Sequence, residues 1–163
     1  MGQVSAIRGT ALTQLEETFP SRDRGGNYYL DGRTGWFPSL EGLAAADASL
    51  AIVPGGTTIA SHVFHAVFYL DVVSAGLKGG EPGKVDWSRS WVVKAVSADE
   101  WDELRRHLRD AYEEVVTLLE GAEEWGEEHV DVALAALAHS AYHLGAVRQF
   151  LTVLRARAET SEE

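Results

Sequence analysis

One stretch of the chain, residues 134–151, limits the possible folds more than any other. It reads LAALAHSAYHLGAVRQFL, with no proline, one glycine and many good helix formers. Its apolar residues recur at alternating steps of three and four, the period of a helix with one face in a core. They are Leu134, Leu137, Ala141, Leu144 and Leu151. A second apolar stripe beside them consists of Val132, Ala136, Val147 and Phe150. The stretch therefore predicts a helix that is apolar nearly all round, with its polar side chains at least partly buried.

Two histidines, His139 and His143, lie inside this predicted helix. Residues four apart are one turn apart on the same face, so both imidazoles can point at a common spot. One interpretation is a chance pair, in which each ring bonds to a backbone carbonyl or a hydroxyl. The other is a divalent metal site, which needs a third ligand and, if catalytic, an open position for water or substrate.

The third histidine has two candidates, both in the predicted helix 57–77. Thr57 or Thr58 can cap that helix. Its core stripe consists of Ile59, Val63, Ala66, Leu70, Val73 and Leu77. His62 lies between Ile59 and Ala66 on its own face and should lean towards the core. His65 shares a face with Tyr69 and Val72. We favour His62 as the third ligand, with His65 as the alternative.

The remaining segments predict two further long helices. Residues 4–19 keep a helical spacing that Pro20 ends. Residues 97–120 begin with a capping box, Ser97 and Glu100, and carry a clear apolar stripe opposite a charged face. The last helix is predicted over residues 127–157, and we expect His107 and His129 to be surface residues.

The connections are predicted to be irregular apart from one short helix. Residues 21–38 form a glycine-containing loop with four aromatics, which we interpret as plugs holding the loop to the protein rather than as a pocket lining. A short helix is predicted over 39–50, with Ser39 as its N-cap. Trp87 and Trp91 are expected to anchor the connection 78–96 to the core.

Four long helices without strand patterns predict an all-α protein, a four-helix bundle with a long connection between its first two long helices. We expect one domain over residues 1–163, frayed at 1–3 and 158–163. In such a bundle His62 can converge with His139 and His143. Three neutral imidazoles bind a divalent transition metal and leave one position open. Zinc and nickel both suit that donor set.

Composition removes several alternatives. The chain has no cysteine, which excludes disulfides, thiolate metal ligands and a cysteine nucleophile. Its formal net charge of −11 argues against a nucleic-acid partner, since phosphate binding needs clustered Lys and Arg. The start shows no signal-peptide pattern, and no apolar run approaches membrane-spanning length. We expect a cytoplasmic protein that does not bind a membrane.

Two motifs resemble those of the DinB/YfiT-like superfamily of metal-binding four-helix bundles. One is PGGTTIASHVFH, a helix with early histidines after a proline–glycine turn; the other is HSAYHLG, an H-x-x-x-H-x-G pattern in a late helix. The order and separation of the motifs cover nearly the whole chain. In the family one histidine comes from the second helix and two from the last, which maps onto His62, His139 and His143. A Gln often follows the glycine of the second motif, and here the position is Ala146.

The resemblance implies a metal-dependent enzyme acting on a small electrophilic molecule. Some members of the superfamily transfer low-molecular-weight thiols or isomerise their adducts, so the implied activities are thiol S-transfer and hydrolysis, with a small thiol as a possible second cofactor. No general base is identified; Tyr69, Asp71, Tyr142 and Arg148 are only near the histidines. The alternative is a non-catalytic metal- or ligand-binding stress protein, or a dimeric interaction module, since the apolar last helix would also suit a homodimer interface.

Overall fold

The computed structural model describes residues 2–22, 27–80 and 84–161, and within these ranges the chain is helical without a β-strand. The all-α prediction is confirmed. Four helices are long: α1 (Gly2–Thr18), α4 (Ile59–Leu77), α5 (Ala98–Gly121) and α6 (Glu127–Ser161). Two α-helices of one turn, α2 (Trp36–Ser39) and α3 (Ala45–Ala48), and a 3-10 helix (Trp87–Trp91) lie in the connections. Of the ends that we expect to fray, residues 1, 162 and 163 lie outside the described residues.

The four long helices share one hydrophobic cluster. α4 packs against both α5 and α6, α1 packs against α6, and the 3-10 helix packs against α4. The largest side chains that are fully buried in the cluster come from several elements: Phe19, Trp36, Trp101, Leu108 and Leu144. Since α4 and α6 lie side by side, side chains on their facing surfaces meet between them.

Both helices α4 and α5 begin at a capping box. The Thr58 side chain accepts a hydrogen bond from the Ser61 backbone N–H, and the Ser97 side chain accepts one from Glu100. In each pair the second side chain returns a bond to the backbone N–H of the first, so two N–H groups that the helix leaves unpaired are satisfied. The predicted capping box of α5 is confirmed, and Thr58 rather than Thr57 caps the helix that carries His62 and His65.

The predicted helix 39–50 is wrong. Only residues 45–48, which form α3, and Ser39 are helical, and Ser39 is the last residue of α2 rather than an N-cap. Gly42 lies between the two turns with φ +71°, in the left-handed region that interrupts an α-helix. The alanine run therefore supplies only the short helix α3.

The loop between α1 and α2 is held by a buried carboxylate. Glu17 is fully buried, and its two oxygens accept the backbone N–H groups of Tyr28, Tyr29 and Leu30 at 2.7, 2.8 and 2.6 Å. Burial raises the pKa of Glu17, but these three hydrogen bonds outweigh it and leave that pKa below its ordinary value. Glu17 thus fixes the chain that leads to α2.

The loop aromatics differ in what they do. Trp36 is fully buried, and its Nε1–H donates to the Ser140 carbonyl at 3.1 Å, which ties α2 to the middle of α6. Tyr28 is 58% exposed, so the expectation of an aromatic plug is wrong for it, whereas Tyr29, although 45% exposed, holds the loop to α1 through its hydroxyl, 2.5 Å from Thr18 Oγ1. Gly35 precedes Trp36, and a Cβ there would lie 2.6 Å from Ser21 Oγ, so only glycine fits at this approach.

Two helices are long and apolar enough to cross a membrane by length and composition alone, Ile59–Leu77 and Glu127–Thr160. This finding corrects the expectation that no apolar stretch reaches that length. The core helices of soluble proteins pass the same test. Both helices here contribute buried side chains to the hydrophobic cluster.

Candidate metal centre

Four histidines meet where α4 packs against α6. We call His62, His65, His139 and His143 the histidine cluster. The first two stand in the first two turns of α4, and the others are one turn apart in the middle of α6. Ring centroids are 4.6 Å apart for His65 and His143, 4.5 Å for His139 and His143, and 5.2 Å for His62 and His143. The predicted convergence of one helix with the His139–His143 pair therefore occurs, with two histidines from α4 rather than one.

Three members of the cluster form a group that could hold a metal ion. One ring nitrogen from each of His65, His139 and His143 lies within 4.8 Å of one from each of the others. His65 Nε2 and His139 Nε2 are 3.0 Å apart. Two nitrogens bound to zinc at about 2.1 Å with a tetrahedral angle would be about 3.4 Å apart. The observed 3.0 Å is the length of a hydrogen bond between the two rings, and a shared cation would need the nitrogens to separate by about 0.4 Å.

The protonation of His65 follows from its hydrogen bonds. Ser90 Oγ lies 2.7 Å from the Trp87 carbonyl, which can only accept, so the Ser90 hydroxyl proton points there. His65 Nδ1 is 2.8 Å from the same Ser90 oxygen, and it must therefore donate its own proton to that oxygen. This assignment leaves His65 Nε2 as a lone pair that faces His139. A histidine that binds a metal through one ring nitrogen commonly donates the N–H of the other to a nearby acceptor, as His65 Nδ1 does to Ser90.

His62 bonds to another histidine and to a threonine. Its Nδ1 is 3.0 Å from His143 Nδ1, and its Nε2 is 3.1 Å from Thr57 Oγ1. Both of its nitrogens thus have partners, one in His143 of the group of three and one in Thr57 outside it. This contact gives His143 a partner for Nδ1 and leaves His143 Nε2 for another role.

Burial keeps the cluster neutral. Desolvation lowers the pKa of His143 to about 3, helped by the neighbouring histidines, and lowers the pKa of His139 to about 4, with a smaller contribution from His65. It also lowers the pKa of His62 to about 4 and lowers the pKa of His65, against the opposing hydrogen bond at Ser90. Neutral imidazoles are the form that binds a metal, so protons do not compete near neutral pH.

One nitrogen of the group lacks a partner among the described residues. His139 Nδ1 is buried and makes no hydrogen bond there. If His139 binds a metal through Nε2, the nitrogen that faces His65, its Nδ1 carries the proton and is a buried donor without an acceptor among these residues, which costs free energy. The donor set, made only of neutral nitrogens, suits zinc or nickel. The residues present therefore fit a divalent transition metal.

Aromatic rings surround the cluster and restrict its access to water. Trp91 stacks on His65 at a centroid distance of 4.1 Å, and Tyr69 stacks on His139 at 3.7 Å. Tyr142 lies edge-on to His143 at 4.9 Å and is 74% exposed. The expectation that Trp87 anchors to the core is wrong, because that side chain is 45% exposed and lies over Tyr69. Trp91 supports the histidines directly.

Two further expectations about polar residues concern the neighbourhood of the site. His107 is half-exposed, as expected, and its Nε2 is 3.3 Å from Asp71 Oδ2. Asp71 therefore contacts a histidine of α5 and not the histidine cluster. Arg148 lines a different cavity with residues of α6.

The buried face of α6 differs in part from the first predicted stripe. Leu134 is 47% exposed, whereas Ala136 and Val147 of the second stripe are fully buried. His143 and Ser140 lie on the same buried face. Since residues 132–147 of α6 are nearly all apolar or small, the sequence pattern could not choose between neighbouring stripes.

The structure brings together His139 and His143 as expected and adds both histidines of α4. The group of three contains His65, which was the alternative third ligand. His62, the favoured third ligand, lies outside this group and contacts His143 through Nδ1. Sequence reasoning missed Ser90, whose role depends on a 3-10 helix that replaces the predicted irregular connection. The spacing of Trp87, Ser90 and Trp91 was the only available signal.

Comparisons with known families, with curated proteins and with solved structures gave no match in any of the three.

Proposed function

We propose that this protein binds a divalent transition metal, zinc or nickel, through His65, His139 and His143. The observation that carries the proposal is the approach of one nitrogen from each of these histidines to within 4.8 Å of the others. In this proposal Ser90 fixes the tautomer of His65, and His62 accepts the Nδ1 proton of His143. His62 is thus a supporting residue, and exchange of His62 for His65 in the ligand set is the alternative.

We further propose that the chain is a DinB/YfiT-like four-helix bundle and a metal-dependent enzyme for a small electrophilic substrate. The order of the long helices and the positions of PGGTTIASHVFH and HSAYHLG support this assignment. A divalent metal with an open position would lower the pKa of a water or a small thiol there, which favours hydrolysis or thiol S-transfer. The chain itself would orient the imidazoles and, through Tyr69 and Trp91, keep bulk water from two of them.

The test of metal binding is elemental analysis of protein purified without an affinity tag or chelator. We expect about one equivalent of zinc or nickel in the wild type. His143→Ala should lose it, and His107→Ala, which changes a half-exposed histidine outside the cluster, should keep it. Absence of metal from the wild type, even after divalent ions are added near neutral pH, would overturn the proposal.

The test of activity uses the metal-loaded protein with simple probes. Glutathione with 1-chloro-2,4-dinitrobenzene reports thiol transfer, and p-nitrophenyl acetate reports hydrolysis. We expect a rate that metal-free His143→Ala does not show. A wild type that holds metal but gives no rate above that variant would favour the second candidate, a non-catalytic binding protein.

A further non-catalytic candidate, a dimeric interaction module, is favoured by one observation on α6. Leu134 and Tyr142 are 47% and 74% exposed and lie eight residues apart on that helix. Residues at this spacing share a face, so the two side chains can form one apolar patch. Sedimentation of the wild type and of Leu134→Lys would test a homodimer, which the lysine should dissociate.

A further inference from the structure

A cavity whose lining includes none of the four clustered histidines gathers positive charge in an acidic protein. It has a volume of about 720 Å³ and lies between the residues that follow α1, the short helix α2 and α5. Its charged lining consists of Arg33, Arg105, Arg106, Arg109, Glu41 and Asp102. Four of the 14 Lys and Arg residues of the chain thus line one cavity, with only two of the 25 Asp and Glu residues. We call it the arginine cavity.

Two of the four guanidinium groups, those of Arg105 and Arg109, are held in place by the protein. Arg105 forms an ion pair with Asp102, and its Nη1 donates to the Leu40 carbonyl at 3.4 Å. Arg109 stacks over Phe37, with its guanidinium carbon 4.1 Å from the ring centroid, a cation–π distance. Arginines fixed in this way lose less conformational entropy when a ligand binds.

The cavity leaves donor capacity unused. Arg105 Nε is buried and has no hydrogen-bond partner among the described residues. A guanidinium offers five N–H donors in a planar fork that matches the oxygens of a carboxylate or a phosphate. An anion in the cavity would accept from the N–H groups of the lining arginines that face it and would reduce the repulsion among these arginines.

The remaining lining is apolar. Phe37, Leu40 and Leu108 form part of the wall, with two prolines beside them. The volume is within the range of sites for small organic ligands. A bare inorganic ion would leave most of this surface unused, whereas an anionic head group on an apolar body would use both kinds of lining.

We propose that the arginine cavity binds a small organic anion, a phosphate or carboxylate group carried on an apolar body. The cavity shares no residue with the histidine cluster. The proposal therefore goes beyond the metal-dependent function and does not rest on it.

The test is a calorimetric titration of the full chain at low ionic strength with phenyl phosphate, with benzoate and with benzyl alcohol. We expect saturable binding of at least one of the two anions, and the tighter one identifies the head group. The neutral benzyl alcohol should not bind in the same range. Arg106→Gln and Arg109→Gln should each weaken binding about tenfold, since each removes a charge-assisted donor. Both side chains are exposed, so the variants should fold.

Two control variants, Arg155→Gln and Glu103→Gln, distinguish binding in the arginine cavity from a general effect of the charge of the protein. Arg155→Gln makes the same charge change on α6, outside the cavity, and should leave the Kd within about twofold of the wild type. Asp102→Asn should tighten binding, because it removes a competing carboxylate from Arg105. Glu103→Gln makes the same charge change at the next residue, outside the cavity lining, and should have little effect.

The Arg105 Nε–H resonance, assigned by its loss in Arg105→Lys, locates the ligand in an NMR titration. A shift that saturates with the calorimetric Kd supports the proposal. Four results would overturn it: neither anion saturates up to roughly 10 mM, benzyl alcohol binds equally well, Arg155→Gln weakens binding as much as Arg106→Gln, or binding leaves this resonance unmoved.

Discussion

Replacement of Ser90 by alanine should weaken zinc binding although Ser90 is not proposed to touch the metal. Ser90 is fully buried and accepts the Nδ1 proton of His65 at 2.8 Å. Without it, metal-free His65 can move its proton to Nε2 and leave Nδ1 as a lone pair. To bind metal through Nε2, the ring must then return the proton to a buried Nδ1 that has lost its acceptor.

The size of the effect follows from that unpaired donor. A buried polar group without a partner costs about 1–3 kcal/mol, and about 1.4 kcal/mol is tenfold in affinity. Loss of a hydrogen bond to a metal-binding histidine typically weakens metal binding roughly 10- to 100-fold. We therefore expect the zinc Kd of Ser90→Ala to rise by about that factor.

The assay is competition for zinc against a chromophoric chelator near neutral pH. Ser88→Ala is the matched control, because Ser88 is an exposed serine of the same 3-10 helix, and its hydroxyl donates to Asp86 Oδ1 at 2.6 Å. It should bind zinc like the wild type. The reasoning would be refuted if Ser90→Ala kept wild-type affinity within about twofold, or if Ser88→Ala lost as much.

Three further predictions concern stability. Since burial lowers the pKa of His139 to about 4 and of His143 to about 3, below the ordinary 6.5, the unfolded chain takes up protons first as pH falls. The free energy of unfolding of the metal-free protein should then decrease between about pH 6.5 and pH 4, by up to about 1.4 kcal/mol per pH unit for each such imidazole. Urea unfolding near pH 7, 6 and 5 measures this decrease. A free energy of unfolding that does not change with pH would contradict the prediction. Glu17→Gln should lower the free energy of unfolding by about 1–3 kcal/mol, because an amide can accept hydrogen bonds at only one of the two oxygen positions. The control Glu16→Gln changes an exposed residue and should alter the free energy of unfolding little. Equal urea midpoints for the two variants would show that the buried carboxylate does not stabilise the fold. Leu108→Ala should cost about 2–5 kcal/mol by opening a cavity in the core, and a thermal midpoint close to that of the wild type would be inconsistent with its complete burial.

The long helices could be predicted because local signals and periodicity agree there. Ser97 with Glu100 marks the start of α5, and the stripe of α4 is regular, so both elements follow from the chain alone. The single turns α2 and α3 could not be separated by pattern, because their separation depends on the backbone conformation at Gly42. Tertiary contacts determine where such short helices begin and end, and the helix propensities of the residues do not predict this.

The candidate site was predictable in kind and in two of its three histidines, His139 and His143. The four-residue spacing of His139 and His143 predicts that both lie on the same face of α6. The choice between His62 and His65 depended on a small rotation of α4 relative to α6, which flanking apolar residues do not fix. The arginine cavity was missed because Arg33 and the arginines of α5 are distant in sequence and looked like parts of a solvated surface.

The most direct test of the proposed centre is zinc stoichiometry in single-histidine variants, measured by elemental analysis after loading and exhaustive dialysis. The account predicts about one zinc per chain in the wild type and none in His65→Ala or His139→Ala. His62→Ala should still bind zinc, with lower affinity, because it removes only the partner of His143 Nδ1. Retention of zinc by His65→Ala together with its loss from His62→Ala would contradict the proposed ligand set, and absence of zinc from every chain would contradict the metal centre itself.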